Sequence, residues 1–176
     1  MKTAFFIILG LVGLFALIAL VLQIAGSRMP REHRSQLTAT LHANRAAVWA
    51  VITDYAKMPE WWPAVKAVRL EKLPAGTELT WNTDKHGQQI AFRTKEERHG
   101  ERLVREIVGK DLPFGGTWTF ELADAADGGT KLTLTEDGFI TPPVFRALAT
   151  WVFGLDTTQK DYLASLEKHL GKNAVR

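Results

Sequence analysis

The chain has 176 residues, 46% hydrophobic and 23% charged, with 22 Lys and Arg against 19 Asp and Glu and no cysteine. Such a balance describes a globular protein of one domain plus an appendage, not a disordered chain. It excludes disulfides and thiolate metal sites, and a net charge of +3 without a basic run gives no support for nucleic acid as a partner.

No residue between Thr3 and Ser27 is charged, and AFFIILGLVGLFALIALVLQIAG is almost wholly apolar. A bilayer-spanning helix needs about 20 such residues, whereas the apolar region of a signal peptide needs about 7–15. The length therefore predicts a retained single-pass anchor over residues 1–27. The competing reading is a cleaved signal, with AGS at Ala25–Ser27 as the processing site. Only Lys2 precedes the span, while Arg28, Arg31 and Arg34 follow it. Positive charge collects on the inner side, so the folded domain is expected in the cytoplasm. Residues 28–34 read as a polar linker and 35–172 as the folded domain.

SQLTATLHA (Ser35–Ala43) alternates, with Leu37, Ala39 and Leu41 on one face, and predicts a half-buried strand. Asn44 is a good N-cap for a helix over RAAVWAVITDY. DYAKMPEWWPAV follows, with Trp61 and Trp62 between Pro59 and Pro63. Met58 precedes one proline and Trp62 the other, and both are expected outside α geometry. At most one helical turn fits between them. Trp61 is expected inside and Trp62 nearer the surface.

Six strands are predicted next: Ala64–Leu73, Thr77–Thr83, Gln88–Arg98, Arg102–Val108, Thr117–Leu122 and Thr130–Gly138, joined mostly by short Gly- and Asp-rich turns. The last segment reads as one long helix, capped by Thr141 with Pro142 in its first turn. Its apolar stripe is Val144, Leu148, Trp151, Val152 and Leu155, continued by Tyr162, Leu163, Leu166 and Leu170. Gly154 is a weak point in it. The fold class is α+β, an antiparallel sheet of about seven strands whose apolar face is covered by the C-terminal helix.

ANRAAVWAVITDYAKMPEWWPAVKAVRLE, TWTFEL, GTKLTLTEDG and YLASLEKHL carry a likeness in this order. They resemble the START-like, Bet v 1-type helix-grip superfamily, in its SRPBCC or polyketide cyclase/dehydrase-like branch. The likeness covers about residues 34–172 and leaves out the apolar N-terminus. It implies a curved sheet gripping a long helix, with a cavity between them for a hydrophobic small molecule such as a lipid, quinone or polyketide-like compound. The family includes carriers and enzymes, so the resemblance is specific for fold and weak for function.

Large side chains on faces expected to look inward are the cavity candidates: Trp49, Trp61, Trp81, Phe92, Trp118, Phe120, Phe145 and Trp151. For any one of them core filling is the ordinary reading, because protein interiors are closely packed. Arg105 joins them conditionally. In RLVREIV one face is Leu103, Arg105 and Ile107, and the other is Val104, Glu106 and Val108. The inward face decides whether a buried cation or a buried acid meets the cavity, and the alternative is an exposed cross-strand ion pair.

No catalytic constellation is evident. His33 falls in the linker, His86 and His99 in turns, His169 near a helix end, and His42 is expected to face out. No HxxxH or HExxH spacing, nucleophile elbow or glycine-rich phosphate loop occurs, so no metal or cofactor is expected. The sequence specifies no oligomeric state. Three function classes compete: an anchored binding domain for an apolar small molecule, a cyclase- or hydrolase-like enzyme on a hydrophobic substrate, and a structural protein with a filled core.

Overall fold

The computed structural model describes residues 2–74, 76–109, 112–126 and 128–174. Helix α1 (Lys2–Arg28) leads into strand β1 (Glu32–Leu41), which starts inside the stretch read as linker. Asn44 caps α2 (Arg45–Thr53) as its residue type predicts, its side chain accepting from the Ala47 N–H at 2.9 Å. A 3-10 turn (Tyr55–Lys57) and the single turn α3 (Met58–Trp61) follow. Met58 is helical after all, with φ −51° and ψ −39°. It opens a turn in which the missing N–H of Pro59 costs nothing, and its side chain is buried. Trp62 is extended, as Pro63 requires.

Strands β2 (Val65–Lys72), β3 (Glu78–Asp84), β4 (Gln89–Arg98), β5 (Arg102–Val108), β6 (Phe114–Asp124) and β7 (Thr130–Ile140) form a meander. With β1 they make one seven-stranded antiparallel sheet in the order β1-β7-β6-β5-β4-β3-β2. The alternation in the strand sequences sets the faces. Leu103, Phe120, Leu122, Leu132 and Leu134 point inward and are buried, while Glu106 and Lys95 pair on the outside.

The predicted long C-terminal helix is two helices. α4 (Pro143–Leu148) runs into a π-helical turn (Ala149–Phe153), and α5 (Thr157–Ala174) starts afresh. Gly154 makes the break, with φ 81°, a left-handed conformation that glycine adopts without strain. The N-cap of α4 is Pro142, without a side-chain bond, in place of Thr141. α5 is the gripped helix: Tyr162, Leu163, Leu166 and Leu170 form its buried stripe against the sheet and α3. α4 lies instead against the end of α1.

Candidate functional site

Between the concave face of the sheet and α5 lies a cavity of about 350 Å³, within the usual range for small-molecule sites. Its walls are mainly apolar: Phe92, Ile107, Trp118, Phe120, Trp62 and Tyr162. The inner end is closed by the buried Ile52, Leu103 and Phe120. The other end is lined by the exposed Ala64, Gln88 and Thr158, with Phe114 beside them, and is the mouth. An open depression over Glu32, Arg34, Asp137 and Phe139 is larger, about 440 Å³, but it lies at a strand edge crossed by the exposed Arg34–Asp137 pair.

Antiparallel register builds a row across the inner face. Thr94 pairs with Arg105, Arg105 with Trp118, Trp118 with Glu136 and Glu136 with Ser35. Two polar charges therefore sit two strands apart, with the Trp118 indole between them. Neighbouring strands are about 4.8 Å apart, so the two backbones are separated by about 10 Å.

Arg105 is the buried cation of the two sequence alternatives, and Glu106 belongs to the outer face. Arg105 is 7% exposed, and its guanidinium carbon lies 3.8 Å from the centre of the Tyr55 ring and 6.0 Å from that of Phe92. Among the described residues no carboxylate comes within ion-pair distance, and its Nε has no hydrogen-bond partner. Glu106 pairs outside with Arg93 at 2.6 Å; desolvation pushes its carboxyl up, but Arg93 and Lys95 together outweigh it and hold the carboxyl below the usual range. Asn82, also on the cavity wall, donates to Met58 Sδ at 3.5 Å and leaves its Oδ1 unpartnered.

Glu136 reaches the cavity from the other end of the row. Burial pushes its carboxyl above the ordinary value, outweighing the pull of His33 and the Trp118 indole N–H. His33 Nε2 lies 3.6 Å from Glu136 Oε1. This histidine is not in a linker: it is on β1, its ring laid over Gly138, where a Cβ would come within 2.7 Å of it. Tyr162 is wholly buried beside the cavity, and burial raises its hydroxyl far above its normal range, so it stays protonated.

Of the sequence candidates, Phe92, Arg105, Trp118 and Phe120 line the cavity. The other five do not. Trp49 is buried beyond the closed end, 5.4 Å from the His99 ring. Trp61 is buried behind the cavity wall with its edge to Tyr162, and its Nε1 lacks a partner. Trp81 is on the outer face, because Asn82 takes the inward position; it lies under Arg69 and donates to Glu71 at 2.7 Å. Phe145 and Trp151 are 56% and 57% exposed on α4 and the π-turn, which the break at Gly154 swings off the sheet. Trp62 reverses its expectation. It is 9% exposed, lines the cavity and donates to Asp161 at 2.8 Å. Tyr162 is on the stripe that helical spacing predicts, whereas Tyr55, Asn82, Glu136 and His33 are brought to the site by the fold. Only the i, i+2 alternation of β7, which puts Glu136 on the face of Leu132 and Leu134, signalled one of them.

A group of three or more His, Asp or Glu placed to hold a metal is absent among the described residues.

The sequence profile of the polyketide cyclase / dehydrase and lipid transport family matches residues 32–171. The chain belongs to that family. Its fold is the family's helix grip, and solved structures share it at low identity. The Zhui aromatase/cyclase from Streptomyces sp. R1128 is 13% identical, with a TM-score of 0.64 over 82% of this chain and 96% of that one. A START superfamily protein from Mycobacterium smegmatis is 17% identical, with a TM-score of 0.60 over 80% and 98%. BexL, a di-domain aromatase/cyclase of the BE-7585A biosynthetic pathway, is 15% identical, with a TM-score of 0.65 over 83% of this chain and 52% of its own. Among curated proteins none matches the chain. For this family member the likenesses fix the fold, while the cavity's contents must be argued from its own residues.

Proposed function

We propose that the protein is a membrane-anchored binding domain for an amphiphilic small molecule whose apolar body fills the cavity and whose anionic or strongly polar head meets Arg105. A lipid, a quinone or a polyketide-like compound has this form. The observation that carries the reading is Arg105: a buried cation at a cavity wall with no acid beside it among the described residues. An unpaired buried charge is costly, and a ligand anion supplies what the fold withholds. The aromatic walls supply apolar contact.

Residues 1–27 are the anchor, joined by the short segment 28–31 to a binding domain that begins with β1 at Glu32 and extends to residue 172. One helix, Thr3–Arg28, is long and apolar enough to cross a membrane. Its retention is supported by packing. Arg146 donates to the Gly26 carbonyl at 2.9 Å and is itself buried, so cleavage near Ser27 would strip a charged side chain of a partner. The Arg28, Arg31 and Arg34 cluster favours a cytoplasmic domain. An anchor keeps the cavity beside a pool of apolar ligand and raises its effective concentration.

The test is native mass spectrometry of the full chain released from mild detergent, with Arg105→Met beside it. The expected result is a co-purifying amphiphile on the wild type that is depleted on the variant. A wild-type chain that carries nothing, and does not saturate with an anionic amphiphile such as 1-anilinonaphthalene-8-sulfonate, overturns the reading.

A second reading has its own observation. Glu136 is a cavity carboxyl held toward its protonated form beside His33, the arrangement a proton-transfer enzyme needs. A co-purified ligand recovered chemically altered, and recovered unaltered from Glu136→Gln, would establish it.

A further inference from the structure

The π-turn and α4 carry an apolar surface that the binding site does not use. Phe145, Trp151, Val152 and Phe153 are each more than half exposed, at 56%, 57%, 63% and 64%. From Gly138 to Leu155 the single charged residue is Arg146. Its charge is turned inward: Nε donates to Gly26 O at 2.9 Å, and Nη1 to Ile140 O at 2.9 Å and Thr141 O at 2.5 Å. A surface segment with no outward charge and four exposed large apolar side chains is an unfavourable neighbour for water.

Its place relative to α1 says what covers it. A Cβ on Gly26 would stand 1.8 Å from the Pro143 carbonyl oxygen, so the two backbones touch at the start of α4. The residues of α1 that lose exposure are Ala19, Leu22, Ala25 and Gly26, a stripe at helical spacing, and α4 is the element packed against α1. From Ala19 to Gly26 an α-helix rises about 10 Å, close to the length of a six-residue helix. α4 therefore runs antiparallel to the last apolar turns of α1, and the π-turn lies deeper along it than Pro143 does. The small residues Ala19, Ala25 and Gly26 permit this approach, as small residues do between membrane helices.

The cavity mouth is at the same end of the domain. Phe114 of the mouth pairs with Ile140, from which the chain passes into α4, and Thr158 of the mouth opens α5 just after the π-turn.

We propose that α4 and the π-turn form a wedge inserted into the leaflet through which α1 leaves the bilayer, with Phe145, Trp151, Val152 and Phe153 in contact with lipid. The wedge brings the mouth of the cavity to the membrane surface, so that an amphiphile enters from the leaflet instead of from water. This inference rests on the reading of α1 as a span. The aromatic and aliphatic side chains supply insertion, and the backbone carbonyls around Arg146 keep its charge satisfied at depth.

The chain has no cysteine, which makes the test direct. Single variants Phe153→Cys, Trp151→Cys, Leu14→Cys on α1 and Lys131→Cys on β7 are labelled with the nitrobenzoxadiazole (NBD) fluorophore in the full chain. All four positions are exposed, so the labels do not disturb the core. The chains are reconstituted into phosphatidylcholine–phosphatidylglycerol vesicles with or without nitroxide-labelled acyl chains. The labels at 14, 151 and 153 should lose most of their emission to the nitroxides, and the label at 131 should keep it. Quenching at 14 with 151 and 153 behaving like 131 overturns the wedge and leaves the anchor standing. Quenching at 151 and 153 without 14 overturns the span and, with it, the wedge as placed beside α1. Quenching at none of the three overturns both.

Discussion

Arg105 and Tyr55 are stacked, with the guanidinium carbon 3.8 Å from the ring centre, and the ring takes the place that a carboxylate holds in an ordinary buried ion pair. A ring face offers a cation about 2 kcal/mol when both are desolvated, much less than a paired acid offers. The cation is thus oriented and left unneutralised. Hydrogen bonds to a charged group are worth about 1.5–3 kcal/mol, which is roughly tenfold to a hundredfold in affinity. Arg105→Met should weaken 1-anilinonaphthalene-8-sulfonate by about that factor and leave the uncharged probe Nile red nearly unaffected, since Met keeps the apolar volume. Fluorescence titration measures both. Equal weakening of the two probes would mean that Arg105 shapes the cavity without recognising charge.

The pair Trp61 and Trp62 is buried as a unit around Tyr162, with ring centres 5.1 and 4.9 Å from it. Truncating a buried tryptophan costs about 3–5 kcal/mol. Trp61→Ala should cost that much, and Trp62→Ala a similar amount, because the two rings are almost equally buried. Trp62→Phe keeps one ring and loses the indole N–H and part of the buried volume, so it should cost more than a hydrogen bond, about 1 kcal/mol, and less than Trp62→Ala. Chemical denaturation of the three variants in one detergent gives the order. A Trp62→Ala variant as stable as wild type would show that this ring serves the cavity alone.

The two tryptophans also mark how far the sequence reaches. Strands, their inward leucines, the Asn44 cap and the stripe of Tyr162, Leu163, Leu166 and Leu170 follow from period and local chemistry, and all are present. What failed was set by tertiary placement. Trp81 and Asn82 are adjacent on β3, so one must face each way, and the more apolar of the two lies outside, under Arg69. The stripe through Val144 and Trp151 has helical period, but Gly154 ends that helix and turns its face away from the sheet. His33 falls in the linker if the strand begins at Ser35; β1 begins at Glu32, which puts the imidazole on the inner face opposite Gly138. Arg105 was legible only as one of two alternatives, because alternation defines faces without naming the inward one.

Glu136 gives a pH dependence of definite sign. Burial raises its carboxyl in the folded chain above the value of 4.5 that it has unfolded, so folding favours the protonated form. Its contribution is fully present below pH 4.5 and is lost as pH rises through the raised folded value, because the unfolded chain ionises first. Glu136→Gln keeps the shape without the charge. It should be more stable than wild type at neutral pH, with the difference closing as pH falls toward 4.5. Unfolding midpoints at pH 4.5 and pH 7 test this. A variant destabilised at pH 7 would mean that the contact with His33 outweighs the desolvation.

Gly26 should be the point at which α1 is joined to the folded domain. A Cβ there would meet the Pro143 carbonyl oxygen at 1.8 Å and its carbon at 2.4 Å, and backbone cannot step aside as a side chain can. Gly26→Leu should force α4 off α1 and take the Gly26 carbonyl away from Arg146 Nε. Overpacking of this kind costs about 1–3 kcal/mol. The sheet and α5 do not depend on the contact, so the domain should stay folded while the junction loosens. Trypsin reads the junction, because Arg28 and Arg31 follow the contact directly. Gly10 has nothing within 4 Å of its Cβ position, which makes Gly10→Leu the control for adding an apolar side chain to the same helix. Faster cleavage after Arg28 and Arg31 in Gly26→Leu, with Gly10→Leu unchanged, is the expected result. Equal rates in all three chains would show that α1 and α4 do not form a joint.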